Sequence, residues 1–261
     1  MGTRSSYAPG TFSWVDLATT DAAAAKAFYT GLFGWKTEDT DAGGGAVYTM
    51  CRIDGDDVCG IFAMTPEMQE RGVPPNWTNY VTVADADAAA ARVKELGGEA
   101  VKDAFDVLDA GRMAVLEDPQ GAVFAVWEPR ARIGAERVND VGCLTMNELA
   151  TTDVDAARAF YEAAFGWTTE QVDTGPGGPL IVSADNRGTL NATLSDAQPG
   201  EPAHWRPYFT VESTEAIVER IRELGGRVLV GPLPLPGPSS IAVALDPQGA
   251  VFAVFEGRVD P

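Results

Sequence analysis

Residues 14–35, WVDLATTDAAAAKAFYTGLFGW, return as residues 146–167, MNELATTDVDAARAFYEAAFGW. Asp118–Glu128 (DPQGAVFAVWE) returns as Asp246–Glu256 (DPQGAVFAVFE), and ELGG stands at both 95–98 and 223–226. The blocks keep the same order in both copies, so the chain is a tandem duplication. Each copy spans about 130 residues, long enough to bury its own core and too long for a solenoid repeat. The expected organisation is two domains, residues 1–133 and 134–261, with the polar stretch 130–140 (RARIGAERVND) as the linker.

Each copy is double again. Phe12–Ala18 alternates around Val15 and Leu17 like a half-buried strand. Thr20 or Asp21 is placed to cap an Ala-rich helix, and Gly34 to stop it. Strands are expected at Ala46–Arg52 and Val58–Ala63. The pattern restarts with a strand at Asn79–Val83, a helix at Asp85–Leu96, and strands near Glu99–Lys102, Arg112–Glu117 and Ala122–Trp127. It recurs from Leu144 and from Tyr208. The unit is strand–helix–strand–strand–strand, occurring four times, which is an α+β fold class.

Other segments read as loops. The glycine runs Asp41–Gly45 and Gly175–Gly178 lack the lysine and strand-to-helix setting of a phosphate loop and read as hairpin tips. Proline-rich Gly231–Ser240 reads as an extended rim loop, and Asp103–Ala110 as its proline-free counterpart.

The formal charge of −19 argues against a nucleic-acid partner, which requires clustered lysine and arginine. No apolar run is long enough to span a membrane. The N-terminus lacks a signal-peptide core, so a cytoplasmic location is expected. Cys51, Cys59 and Cys143 are sparse and without CxxC spacing, as expected of free thiols.

The four units, with FY…FGW after the first helix and DPQG before the last strand, resemble the vicinal oxygen chelate superfamily. This is the glyoxalase, bleomycin-resistance and extradiol-dioxygenase group. The resemblance covers nearly the whole chain. It is nearest to a tandem two-domain actinobacterial branch that includes a mycobacterial antigen and Streptomyces proteins labelled hydroxylases. It implies paired βαβββ modules forming two glyoxalase-like domains, with curved sheets around cavities. Many members hold a divalent metal there. The resemblance puts their first-strand ligands at Trp14, Thr78, Met146 and Arg206, and their last-strand ligands at Ala125 and Ala253. These residue types are not the usual ligands of a catalytic divalent ion, so a metal-free member with no cofactor is expected.

Strand alternation then separates two faces. With Val15 and Leu17 under the helix, the first cavity collects Trp14, Asp16, Thr78, Tyr80, Ala125 and Trp127. The second collects Met146, Glu148, Arg206, Tyr208, Ala253 and Phe255. An inward carboxylate on an apolar wall should have a raised pKa and can act as general acid or base. Asp16 and Glu148 are the candidate proton-transfer groups, with Tyr80 and Tyr208 orienting an oxygen. Trp14, Thr78, Trp127, Met146, Arg206 and Phe255 would contact the ligand, joined by His204, the sole histidine, at the rim. Alternatively, Glu148 pairs with Arg206 and is inert.

The expected activity is metal-independent modification of a flat, oxygenated small molecule, with hydroxylation implied by the resemblance alone. Non-catalytic binding of an antibiotic or metabolite is the alternative. A lyase using Asp16, Glu148 and His204 as unusual metal ligands is a third reading. The partner is a small-molecule ligand, with no nucleic acid and no membrane, for a two-domain monomer or a homodimer.

Overall fold

The computed structural model describes residues 2–173, 179–184 and 190–257, and side chains outside 172–191. The glycine run 175–178 lies outside the described residues. The first module is β1 (Phe12–Thr19), α1 (Ala22–Phe33), β2 (Lys36–Gly43), β3 (Ala46–Ile53) and β4 (Asp56–Ala63). A short α2 (Pro66–Glu70) leads into β5 (Asn76–Thr82), α3 (Ala86–Glu95), β6 (Glu99–Val107), β7 (Gly111–Glu117) and β8 (Val123–Pro129). The second copy repeats this as β9 (Leu144–Thr151), α4 (Val154–Phe165), β10 (Thr168–Asp173), β11 (Pro179–Ala184) and β12 (Leu190–Asp196). It closes with β13 (His204–Thr210), α5 (Thr214–Glu223), β14 (Arg227–Leu235), β15 (Ser239–Leu245) and β16 (Val251–Glu256).

The helices begin and end where their chemistry dictates. Asp21 accepts from the Ala24 N–H at 2.9 Å, and Asp153 from the Ala156 N–H at 2.9 Å. Gly34 and Gly166 end α1 and α4 in the left-handed region, at φ 74° and 69°. Asp85 and Ser213 cap α3 and α5 in the same way.

Modules pair within each copy. The first sheet runs β2-β3-β4-β1-β5-β8-β7-β6, joined by antiparallel β1 and β5, and the second runs β10-β11-β12-β9-β13-β16-β15-β14. Both sheets are curved half-barrels, and the chain is a pair of α+β domains. Gly231–Ser240, expected as a rim loop, instead completes β14 and turns into β15. Proline fits there because β14 is an edge strand, where a missing N–H breaks no second ladder. Asp103–Ala110 likewise lies mostly in β6.

The helix-bearing faces of the two sheets meet in shared cores. Val15, Leu17 and Phe28 pack with Phe209, Val218 and Ile221 of the second copy. Val81, Val93 and Phe124 pack with Leu149, Phe160 and Tyr161. The repeated motifs have their physical reason at this seam. Tyr29 donates to Asp246 at 3.2 Å and accepts from the Trp77 indole at 3.0 Å. Tyr161 donates to Asp118 at 3.0 Å and accepts from Trp205 at 2.8 Å. The Trp35 and Trp167 indoles donate across the seam to the carbonyls of Gly142 and Gly10, at 2.7 and 2.6 Å. FY, FGW and DPQG are therefore one hydrogen-bonded joint, made twice.

Tyr29→Phe or Tyr161→Phe should each cost about 1–3 kcal/mol, because a buried carboxylate and an indole lose a partner. The two clusters share no residue, so the costs should add in the double variant. Urea unfolding reads both. A double variant no weaker than one single variant would show that the two ends of the seam are not independent.

Candidate functional site

Alternation along β1 turns Trp14 and Asp16 onto the concave face, opposite Val15 and Leu17. Antiparallel register sets Trp14 beside Tyr80 and Asp16 beside Thr78. Parallel register sets Tyr80 beside Ala125, and Thr82 beside Trp127. The expected first-cavity residues are thus brought together. Asp16 is only 5% exposed, and Tyr80 donates to its Oδ2 at 2.8 Å.

A residue missing from the expectation completes this cluster. Tyr48 of β3 donates to the same Oδ2 at 3.3 Å and accepts from Trp14 Nε1 at 2.9 Å. Alternation in YTMCR puts Tyr48 and Met50 on the concave face, so a reading that included β3 would have found it. Tyr48 reaches Asp16 across Gly60, where a Cβ would lie 1.9 Å from the tyrosine oxygen.

Burial pushes the Asp16 carboxyl up to about 7, against the opposing hydrogen bonds from Tyr80 and Tyr48. Its Oδ1 is buried without a hydrogen-bond partner. Burial also raises Tyr48 and Tyr80 far above the ordinary phenol range, so both stay protonated as donors.

The aromatic wall is less free than expected. Trp14 and Trp127 pack against Ala135 and Val138, and Trp127 Nε1 donates to the Arg132 carbonyl at 3.0 Å. Tyr7 ties the N-terminal segment to the Ala135 carbonyl at 2.6 Å. Residues 130–140 therefore form a strap across the end of the concave face. Arg132 pairs with buried Asp57, Arg137 reaches Asp56 at 2.8 Å, and the Ala135 N–H meets the Ser13 carbonyl at 2.7 Å. Half-buried Tyr48 and Thr78 adjoin Asp16, and half-buried Met50 and Met113 pack on the apolar cluster of Trp14 and Tyr80. A separate, open depression of about 510 Å³ lies near the β2–β3 edge, lined by Lys36, Glu38 and Arg52, and holds none of the expected site residues.

The second concave face carries the same plan with the opposite outcome. Glu148 accepts from Arg206 Nε at 3.0 Å, Arg206 Nη2 at 3.2 Å, Ser195 at 2.5 Å, and Tyr208. Burial alone would raise this carboxyl, but the Arg206 guanidinium outweighs it and holds the group below the usual range. Met146 and Phe255 lie in the apolar cluster around Tyr208. His204 does not touch Glu148: its Nδ1 donates to the Pro202 carbonyl at 3.0 Å, and its Nε2 lies 3.7 Å from Glu201 Oε1, which is itself 3.8 Å from Arg206 Nη1.

The family's metal positions do not fit a divalent ion. Trp14 and Ala125 offer no suitable donor, and the Thr78 hydroxyl is directed at Asn76 at 3.5 Å. In the second copy, Met146 offers only a thioether, Ala253 nothing, and Arg206 is a cation held by Glu148. Among the described residues, Asp16, Glu148 and His204 share no direct partner. Among the described residues no group of three His, Cys, Asp or Glu side chains is placed to hold a metal. The three free thiols are buried, Cys51 directly opposite Cys59 on β3 and β4. Burial pushes Cys59 far up and Cys143 to about 12, so neither is a ready nucleophile. No helix among the described residues is long and apolar enough to cross a membrane.

Paired βαβββ modules, each pair curling one sheet around a concave face, define the tandem glyoxalase-type fold. The sequence model of the Glyoxalase/Bleomycin resistance protein/Dioxygenase superfamily matches residues 11–126 and 143–254, and the chain belongs to that superfamily. It is 41% identical over 257 residues to the Mycobacterium tuberculosis protein named "Putative glyoxylase CFP32", covering 98% of both chains. It is 38% identical over 265 residues to the anthracycline biosynthesis protein DnrV of Streptomyces peucetius, covering 97% of this chain and 95% of that one. Among solved structures, the 2,3-dioxygenase LapB from Pseudomonas sp. KL28 shares the fold with a TM-score of 0.66 at 15% identity, over 100% of this chain and 94% of that one.

Proposed function

We propose that the chain modifies a flat, oxygenated small molecule, such as a polyketide-like quinone or phenol, without a catalytic metal. Asp16 is the proton-transfer group, on the concave face of the first sheet. The observation that carries this reading is a buried carboxyl with one oxygen held by two phenols and the other buried without a hydrogen-bond partner, which burial pushes up to about 7. Similarity to DnrV, named for anthracycline biosynthesis, supports the substrate class. The misfit of the metal positions supports independence from a metal. In the second domain Glu148 is consumed by Arg206, so that face serves structure or a different ligand.

The test is a thermal-shift screen of flat phenols and quinones on metal-stripped protein, followed by mass spectrometry and NMR of each stabilising compound. The expected result is a ligand that raises Tm and is chemically altered in the presence of chelator. Activity that requires restored Zn, Ni, Mn or Fe would overturn metal independence. A stabilising ligand that always returns unchanged would favour sequestration over catalysis.

A further inference from the structure

Hydrogen-bond direction around Asp16 is set by groups that can act in only one sense. An indole N–H donates and never accepts. Trp14 Nε1 therefore donates to Tyr48, 2.9 Å away, and Tyr48 must turn its own hydrogen toward Asp16 Oδ2. Tyr80 donates to the same oxygen. Oδ2 thus receives two donors, whereas buried Oδ1 receives none. A proton on Oδ2 would compete with two hydrogens already there, so the carboxylic acid carries its proton on Oδ1.

We propose that Asp16 exchanges its proton through Oδ1 alone, with the enolisable carbonyl or phenol of a flat ligand, and that Trp14 and Tyr48 are positioning residues that impose this polarity. The proposal rests on Asp16 being the proton-transfer group. For a ketone, the ligand's α-C–H bond breaks, its electron pair passes into the enolate, and an O–H bond forms at Oδ1. Return of that proton to carbon or oxygen restores the carboxylate, and no oxidant is consumed. Trp14, expected as ligand wall, acts here through Tyr48.

The second domain shows what the arrangement requires. Strand register puts Gly60 beside Asp16 but Thr193 beside Glu148. It puts Thr78 beside Asp16 but Arg206 beside Glu148. Gly60 leaves room for the tyrosine oxygen, and Thr78 brings no donor to the second carboxylate oxygen. Residues 60 and 78 therefore decide which domain holds an exchangeable proton. The other groups acting near Asp16 are Tyr48 on β3, Tyr80 on β5 and the Cys59 thiol on β4. Among the described residues it has no ion pair.

The test is an NMR titration of ligand-free protein with carboxyl-13C-labelled aspartate, Asp16 being assigned by the Asp16→Asn variant. Tyr48→Phe should raise the Asp16 midpoint by about 1 pH unit, since a donor to the charged form is lost. Gly60→Ala should move it the same way by displacing Tyr48, and Trp14→Phe by a smaller step. Thr78→Arg should lower it by about 2 units, as an adjacent guanidinium does. The pH profile of turnover should follow each shift, which a purely structural role would not produce. Circular dichroism checks folding, and Tyr48→Phe, which removes one hydroxyl, keeps the test available if Gly60→Ala does not fold. Unmoved midpoints in Tyr48→Phe and Trp14→Phe, with turnover lost in Asp16→Asn, would overturn the polarity and leave the function standing. Moved midpoints with full turnover in Asp16→Asn would overturn the function, and the exchange with it.

Discussion

Asp16→Asn is expected to lose turnover and gain stability at once. Removing a general acid or base lowers kcat/KM by about 10²–10⁴-fold. The amide oxygen can still accept from Tyr48 and Tyr80, so the fold keeps its hydrogen bonds. The stability gain comes from the carboxyl's titration. In the unfolded chain Asp16 ionises near its ordinary value of 3.8, whereas in the folded protein it does so at about 7. The folded state therefore binds the extra proton between those values, and wild-type stability falls as pH rises through that window. Below it the carboxyl costs nothing, and above pH 7 the full penalty applies, about 4 kcal/mol for a shift of this size. The Asn variant carries no such term. The difference in unfolding free energy between the two proteins should therefore widen by about 2–3 kcal/mol from pH 5 to pH 8 in favour of Asn. Urea titrations at several pH values read it directly. Parallel pH profiles would show that Asp16 has an ordinary pKa, and retained turnover would remove it from the mechanism.

Arg206→Thr gives the opposite sign in the other domain. Wild-type Glu148 is held ionised below its ordinary range, so its pairing stabilises the fold above that range and fades as acid protonates it. Removing the guanidinium strands a buried carboxylate, at a cost of about 3–5 kcal/mol near neutrality. That cost should shrink on acidification, as Glu148 protonates and becomes neutral. Equal stability of wild type and Arg206→Thr at pH 8 would show that Ser195 and Tyr208 alone satisfy Glu148. The two acids occupy equivalent strand positions, so their contrary responses isolate the effect of the neighbour at 78 or 206.

Alternation in the sequence sets Trp14, Asp16, Thr78, Tyr80 and Trp127 on one face, because a strand has only two faces. The Glu148–Arg206 pair was legible for the same reason, since cross-strand neighbours follow from register. Alternation in β3 puts Tyr48 on the concave face, but its bond to Asp16 was not legible, because it crosses β4 and only the glycine at 60 makes the reach possible. The strap 130–140 was invisible because its polar stretch reads as a linker, whereas Ala135 and Val138 pack under it and Arg132 and Arg137 pair with aspartates of β4. The prolines of β14 imitate a loop in sequence, and only its place at the sheet edge reconciles them with a strand. The chemistry of FY, FGW and DPQG was also hidden, because Tyr29 and Tyr161 find their carboxylates, and Trp35 and Trp167 their carbonyls, in the other copy.

Tyr29 reaching Asp246 and Tyr161 reaching Asp118 make each half the keeper of the other's turn. Two separate copies of one half, joined this way, would have to carry every substitution twice. Once fused, the halves owe sameness only to the joint. One concave face can be braced by an ion pair while the other keeps an unpaired carboxyl, and the symmetry of the seam survives the asymmetry of the faces.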